Sequence, residues 1–460
     1  MFAKRVALVF LLPAVFCAAS ATDPISLTCR SIAKVISSSS SVYYPGSPNY
    51  INDTSHWSSA INQNSTCSVE PGTADDVSAI LRILGASRTP FAVKGGGHSP
   101  NPGFSATKGV QISMVRFSTI AYDNISHTVE LGAGLTWEQV YEGLEPYGVN
   151  VVGGRVPTAF ELVLPNGTVT SVTADDGDLW FGLRGGFNNF GIVTKFTMKA
   201  FPQTDIWGGY LIIPASEMDT LFDAVAKWNI EASDPKAAIN TAFIYVEGES
   251  SHATGNNESE PQIVLYQLLF YDAPTPPDGL FNDFTSIPGV NNTAARQSYL
   301  SLINAGSSVS INSPRALFHA ASVKRFTKAN LYNMAAQTKY WGDKLTPYSA
   351  TSLFNVAETF LPNMFSHGGP SAYPPSRSPT LLPINLYVAW TDPSADKIMH
   401  DALAVSGKNM TEPGEALYTN YALGDVPLKA IYGNNVERLR EIKRKYDPKS
   451  VMALAGGYKF

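Results

Sequence analysis

The sequence predicts an α+β protein of more than one domain, and three observations carry that prediction. Its 460 residues are 44% hydrophobic and 15% charged, enough apolar material for a large core and a length that points to two or three domains. The first 200 residues repeat one device, a glycine turn beside a strand, at Gly95-Gly96-Gly97, Gly153-Gly154 and Gly185-Gly186. Past Pro202 the pattern changes: long helical periodicities (Ala215 to Glu231, Phe326 to Leu345) alternate with strand-like runs (Ala242 to Val246, Ile263 to Tyr271, Ile384 to Trp390). That alternation predicts a separate domain with an antiparallel sheet flanked by helices.

The stretch Met1 to Ala21 has basic Lys4 and Arg5, an apolar run from Val6 to Ala19, and the small residues Ala19-Ser20-Ala21 ahead of Thr22. This is the pattern of a cleaved secretory signal. The apolar run is short for a bilayer span and no later segment is long and apolar enough, so a secreted protein with no membrane partner is expected. Losing Lys4 and Arg5 leaves 31 Lys and Arg against 38 Asp and Glu, a formal −7, which does not favour nucleic acid. Cys29 and Cys67 then remain as an even pair, expected to form a structural disulfide. Asn-x-Ser/Thr sequons at Asn52, Asn64, Asn124, Asn166, Asn257, Asn291 and Asn409 agree with passage through a secretory route.

Taken in order, Thr73 with Asp76 marks a helix start, and Val77, Ile80, Leu81 and Leu84 form its apolar face. Pro90 ends that unit, and Phe91 to Val93 reads as a buried strand. Strand-like Val110 to Met114 and Thr128 to Leu131 lead through Gly132-Ala133-Gly134 to an amphipathic helix, Thr136 to Leu144. Phe160 to Leu164 and Thr168 to Val172 flank Asn166-Gly167, a hairpin signature. Leu179 to Leu183 is a short helix entering the turn at 184–191, whose strand ends near Pro202. A Pro- and Ser-rich connector between Gly368 and Pro383 is expected on the surface, and a charged helix from Asn435 to Lys445 precedes Tyr446-Asp447-Pro448.

The most chemically suggestive stretch is Phe91-Ala-Val-Lys-Gly-Gly-Gly-His-Ser-Pro-Asn-Pro-Gly-Phe104. Three glycines remove three Cβ atoms, so the backbone can approach a ligand and turn its N–H groups toward anionic oxygens. His98 sits where a neutral imidazole can act as base, ligand or nucleophile, although a glycine loop carrying a surface histidine has the same sequence. The loop follows a strand but opens no helix, unlike the nicotinamide dinucleotide fold. Three such turns could cradle the diphosphate of an extended cofactor. Histidines at 56, 98, 127, 252, 319, 367 and 400 have no paired metal-ligand spacing, so no metal is expected. There is no Gly-x-Ser-x-Gly elbow and no Walker loop.

Lys94-Gly-Gly-Gly-His-Ser99, Leu131-Gly-Ala-Gly134, Gly153-Gly-Arg-Val-Pro157, Leu183-Arg-Gly-Gly-Phe-Asn-Asn-Phe-Gly-Ile-Val193, Tyr418-Thr-Asn-Tyr421 and Lys445-Tyr-Asp-Pro448 follow one another in this order. In that order they resemble the secreted fungal FAD-linked oxidoreductases, the berberine-bridge-enzyme-like members of the vanillyl-alcohol-oxidase and p-cresol-methylhydroxylase (PCMH) superfamily, over nearly the whole mature chain. The resemblance implies a PCMH-type FAD-binding module at 67–202, a substrate domain at 203–415 stacked over the flavin, and a segment at 416–460 that returns to the module. It implies FAD contacts from Lys94, Gly95, Gly96, Gly97, Ser99, Gly153 and Gly154, and a covalent bond from His98 to the flavin 8α-methyl carbon. Gly185, Gly186, Asn189, Gly191, Ile192 and Val193 match a segment whose backbone meets FAD; a tight strand entry is the alternative. Tyr421 matches the base beside the flavin in sugar-oxidising relatives, with Tyr418 and Asn420 orienting substrate or flavin. A free phenol has a pKa near ~10, so Tyr421 needs nearby positive charge or concerted hydride departure. As one of 21 tyrosines it is otherwise a packing residue.

Three departures from the family pattern stand out. Val156 occupies the position of a second, cysteine tether, so at most one tether is expected. After Gly-Gly-Arg-Val-Pro157, relatives continue through a glycine-rich segment and a helix around the diphosphate, whereas here the chain passes directly to the next strand. A truncated enzyme and a replacement by a shorter loop are both consistent with that, and both remove backbone donors to FAD. Ser450 stands where many relatives have an asparagine that approaches the ring. The implied activity is an oxidase that takes a hydride from an alcohol or amine carbon of a small-molecule substrate, with dioxygen as acceptor, in secondary metabolism. Carbohydrate oxidation, or a non-catalytic relative that has lost FAD, are the alternatives.

Overall fold

The computed structural model describes residues 23–153, 157–246, 262–307, 314–377 and 381–460. The leader at 1–21, Gly154, Val156 and the sequon at Asn257 lie outside these residues.

Three sheets organise the chain. The first has β1 (Ser41–Tyr43), β2 (Cys67–Glu70), β3 (Phe91–Lys94) and β4 (Val110–Ser113) in the order β1-β2-β4-β3, with β2 and β3 both parallel to β4. Helices α1 (Pro24–Val35) and α2 (Pro48–Thr54) precede β2, and α3 (Ala74–Ser87) makes the crossover to β3. Thr73 caps α3 by accepting the Asp76 N–H, and Val77, Ile80, Leu81 and Leu84 are fully buried, as the sequence periodicity predicts. Burial alone would raise the pKa of Asp76, but bonds from Ser37, Ser40 and Thr73 hold it below the ordinary carboxylate value. A disulfide joins Cys29 on α1 to Cys67 on β2.

The second sheet is antiparallel: β5 (Ile120–Asp123), β6 (Thr128–Gly132), β7 (Val149–Val151), β8 (Pro157–Val163), β9 (Val169–Val172) and β10 (Ile192–Pro202), in the order β5-β6-β10-β8-β9 with β7 also on β10. Helix α4 (Trp137–Leu144) lies between β6 and β7, and α5 (Gly177–Leu183) between β9 and β10. The predicted hairpin is β8-β9, turning at Gly167 with φ +85°. β6 holds one edge of β10, and the Ala200 N–H reaches His127 O on that side. β7 and β8 share the other edge end to end: Val151 pairs with Ala200, and Pro157 with Met198. The short link after Gly153 therefore joins two collinear strands.

The third sheet is antiparallel and larger: β11 (Ile206–Ile213), β12 (Ala237–Val246), β13 (Gln262–Tyr271), β14 (Asn291–Asn292), β15 (Ala295–Gln297), β16 (Arg315–Val323), β17 (Ala350–Thr359) and β18 (Leu382–Trp390). Its order is β14-β11-β13-β12-β17-β18-β16, with β15 also on β11. Helices α6 (Met218–Glu231), α7 (Asn282–Thr285), α8 (Tyr299–Ser307), α9 (Lys328–Leu345) and α10 (Asp396–Met410) accompany it. Of these, α6, α9 and α10 supply Phe222, Met334 and Met399 to a core with Phe243, Leu386 and Trp390 from the sheet. The opposite face carries half-buried Phe318, Phe354 and Glu358 beside buried Tyr387.

Helices α11 (Leu428–Tyr432) and α12 (Asn435–Tyr446) lead the tail back, where Val451, Met452 and Ala455 join the core of the first sheet. The 368–383 connector is a correction to the sequence reading. Ser371, Ala372, Leu381 and Leu382 are buried rather than on the surface, because Asn435 donates to the carbonyls of Ser371 and Ala372 and Arg377 bonds the carbonyls of Phe365, His367 and Gly369. No described helix is long and apolar enough to cross a membrane.

The disulfide closes a separation of 38 residues. Replacing both cysteines by serine is expected to cost about 4 kcal/mol, the loop-closure entropy returned to the unfolded chain. A lower urea midpoint would register the loss; an unchanged midpoint would show that α1 is held by packing alone.

Candidate functional site

β3 ends at Lys94, and the glycine loop begins there. The Lys94 ammonium donates to Asn52 O at 2.8 Å; burial lowers its pKa, opposed by the nearby Asp53 carboxylate. Gly97 has φ +74°, the left-handed region that favours glycine. A Cβ on Gly95 would lie 2.9 Å from Ala133 O, and one on Gly96 3.2 Å from Thr136 Cγ2, which seats the loop against the Leu131-to-Gly134 corner. Gly95, Gly96 and His98 are exposed and Ser99 half-buried. None of the backbone N–H groups of residues 95–99 meets a protein acceptor among the described residues. A run of free donors on an open glycine loop fits an anionic group such as the diphosphate of FAD.

Gly153 packs against helix α4. A Cβ there would fall 2.7 Å from the Tyr141 Oη and 3.2 Å from the Trp137 ring. The 184–191 turn is built differently. Gly185 has φ +101° and Tyr373 packed over it, while a Cβ on Gly186 would meet Gly182 O at 2.3 Å. Asn189 is fully buried and donates to Gly186 O and Tyr458 O, both at 2.9 Å. Gly191 has φ +145° where it meets Val163 O. Protein neighbours thus account for all three glycines, which matches the tight strand entry. Ile192 is buried and Val193 half-buried at the start of β10, and the next residue's carbonyl, Thr194 O, accepts from Ala133 N.

The Tyr418-to-Tyr421 turn faces the third sheet. Tyr421 donates its hydroxyl to Glu358 Oε1 at 2.6 Å, Asn420 donates to the Tyr418 hydroxyl at 2.9 Å, and the two tyrosine rings meet edge-on at 4.9 Å. The turn is tied to the glycine loop's own extension, since the Asn101 side chain donates to Ala422 O at 2.8 Å. Tyr458 from the tail donates to Ala422 O and Leu423 O, and Leu423 N donates to His319 Nδ1 at 3.3 Å.

Sequence reading missed Glu358, Trp57 and His56. Trp57 N donates to Gly97 O at 3.2 Å, and its ring stacks on Phe318 at 4.9 Å. His56 bonds Ser105 O and Thr54 O beneath the loop, and burial lowers its pKa. Nothing in one sequence pairs a glutamate on β17 with a tyrosine 63 positions later. Ser450 is held with Lys449 by Arg88, which precedes β3, so it sits at the opposite end of that strand from the glycine loop. No group of His, Cys, Asp and Glu side chains among the described residues could hold a metal ion.

The fold joins two smaller sheets, which carry the glycine loop, to a larger antiparallel sheet. The comparisons name its kind. Residues 65–154 match the family model of an FAD binding domain, and residues 417–455 that of berberine and berberine-like proteins. An FAD-dependent monooxygenase of Aspergillus calidoustus, drtC, is 29% identical over 88% of this chain and 84% of its own length. A berberine-bridge-like protein of Physcomitrella patens superposes with a TM-score of 0.72 at 18% identity, over 92% of this chain and 97% of that one. The xylooligosaccharide oxidase of Myceliophthora thermophila C1 does so with 0.73 at 17%, over 93% and 97%. The chain carries an FAD binding domain and a berberine-like segment, the make-up of an FAD-dependent oxidoreductase.

Burial lowers the pKa of His319 to about 4, with Asp425 opposing and His400 adding to the effect. A histidine depressed from ~6.5 binds its proton more readily unfolded, so its contribution is intact above pH ~6.5 and falls as pH drops toward 4, by about 3 kcal/mol in all. The urea midpoint of the parent is expected to fall between pH 7 and 4.5 by more than that of His319→Gln. Equal slopes would show that another group carries the dependence.

Proposed function

We propose that the protein is an oxidase that takes a hydride from an alcohol or amine carbon of a small organic substrate, with dioxygen as the final acceptor. The observation that carries this reading is the Tyr421–Glu358 pair on the sheet face beside the glycine loop. When bound, FAD would supply the two-electron acceptor for the hydride, with dioxygen as the final acceptor and hydrogen peroxide as the product. The substrate hydroxyl or amine proton goes to Tyr421 as the phenol proton passes to Glu358 Oε1, so the carboxylate supplies the basicity a phenol lacks near neutral pH. Asn420 holds the Tyr418 hydroxyl and fixes the turn that presents Tyr421.

The free donors of residues 95–99 hold the diphosphate, Gly153 and the 192–193 backbone border the cofactor, and His98, exposed at the loop's end, is the tether. The sequons at Asn52, Asn64, Asn124, Asn166, Asn291 and Asn409 are all exposed, which supports a secreted glycoprotein. The fold relationship to a xylooligosaccharide oxidase supports carbohydrate oxidation as a second reading. The fungal FAD-dependent monooxygenase among its relatives supports chemistry with dioxygen.

Peroxide release on turnover of alcohol and amine panels tests the activity. Tyr421→Phe and Glu358→Gln are each expected to lower kcat about 100-fold with little change in KM, the scale of a lost general base. Full activity in either variant would remove the pair from the chemistry. For the tether, acid-precipitated parent is expected to stay yellow and His98→Ala to release its flavin; free flavin from the parent would show that no bond forms.

A further inference from the structure

The segment before β2 lies outside both family matches, yet it reaches into the junction between the two modules. Ser58 Oγ accepts Ala316 N at 2.9 Å, and Ser59 donates its N–H to Pro314 O at 2.7 Å, so residues 58–59 dock at the start of edge strand β16. One residue earlier, the Trp57 N–H holds Gly97 O, next to His98. The Trp57 indole is thereby fixed between the glycine loop and the sheet. One ring face stacks on Phe318, nearly parallel at 12°, while 42% of the residue stays exposed. A tryptophan pinned by bonds on both sides of it and still open is poorly explained as packing.

From Trp57 the aromatic surface continues across the sheet. Phe318 lies 5.1 Å from Tyr387, Tyr387 stacks on Phe354 at 4.3 Å, and Phe318 lies 6.0 Å from Tyr421 at the catalytic pair. On the same face Asn385, two residues before Tyr387 on β18, has a buried Oδ1 with no partner among the described residues. An aromatic wall with few polar groups suits a flat apolar body carrying one hydroxyl or amine. A sugar would leave most of its hydroxyls without partners on such a wall.

We propose that Trp57 is a specificity-determining residue, whose open ring face forms with half-buried Phe318 and Phe354 a stacking wall for planar aromatic substrates, while buried Tyr387 backs the two phenylalanines. The wall deepens the oxidase reading and rests on it for the fate of the substrate, but its stacking can be read without turnover.

The test is equilibrium binding to the purified full-length protein of 2-naphthylmethanol, followed by the probe's own fluorescence, and of cellobiose, followed by calorimetry. Flavin content is measured by absorbance in the same samples. Trp57→Leu, which keeps apolar bulk and removes the ring, is expected to weaken naphthylmethanol binding about 10-fold, with Trp57→Phe within about 3-fold of the parent, the scale of a lost aromatic stack. Cellobiose is expected to bind more weakly than naphthylmethanol and to be insensitive to both changes. Unchanged naphthylmethanol affinity in Trp57→Leu, or tighter binding of cellobiose by the parent, would overturn the proposal. A protein that binds the probe through Trp57 but carries no flavin would overturn the oxidoreductase reading and leave the wall standing.

Discussion

Much of the structure depends on the pairing of β10. A long strand inside a folded module presents two rows of backbone donors and acceptors, and each row must be met. β6 meets one row; β7 and β8, end to end, meet the other. Because the second row is shared by two short strands, the chain between them can vary in length without opening the ladder. The same strand positions the cofactor loops, since Thr194 O takes the Ala133 N–H and so fixes the corner against which Gly95 is seated.

The two modules are joined by groups drawn from distant parts of the chain. Trp57 and Ser58 bond Gly97 on one side and Ala316 on the other. Asn101 and Tyr458 converge on Ala422 O, linking the loop after His98, the Tyr421 turn and the tail through one carbonyl. Bonds of this kind are individually modest, but each excludes relative sliding that would separate His98 from Tyr421. The tail does more than cover the module: Met452 is fully buried in the core of the first sheet, so folding of that core and closure of the site are coupled.

What could be read in the sequence follows from locality. The glycine loop was legible because a missing Cβ is visible residue by residue, and the α3 and α4 starts because caps act within one turn. The 184–191 turn shows the limit of that signal. Its glycines are demanded by contacts with Tyr373, Gly182 and Val163, and one sequence cannot distinguish a glycine that makes room for protein from one that makes room for a ligand. Glu358 was not legible because its meaning comes from strand register, set by pairing between β17 and β18, and Trp57 because its partners Gly97 and Phe318 are distant in the chain. The connector was misread in part for a similar reason: its prolines and serines fit a surface loop, as Gly368 to Pro370 and Ser376 are, and only Asn435 and Arg377 explain why Ser371 and Ala372 lie inside.

The short link separates two properties that usually travel together. The FAD-domain match ends at residue 154, where the link lies, and the family resemblance places a diphosphate-wrapping segment just beyond. With β7 and β8 both seated on β10, folding does not need that segment, so a stable protein and a well-held cofactor are distinct requirements here. Among the described residues, the donors proposed for the diphosphate are the N–H groups of residues 95–99, and an open loop contributes less than an enclosed one because water competes for the same groups. A covalent bond at the end of that loop would compensate for weak contacts, since it replaces a free concentration with a fixed local one. The bond must nevertheless form from a bound state, and the free donors have to hold the flavin long enough for His98 to reach it. The proposed arrangement favours that order of events: the donors and His98 share five consecutive positions, 95–99, so a loop that captured the diphosphate would also position the group that would secure the ring.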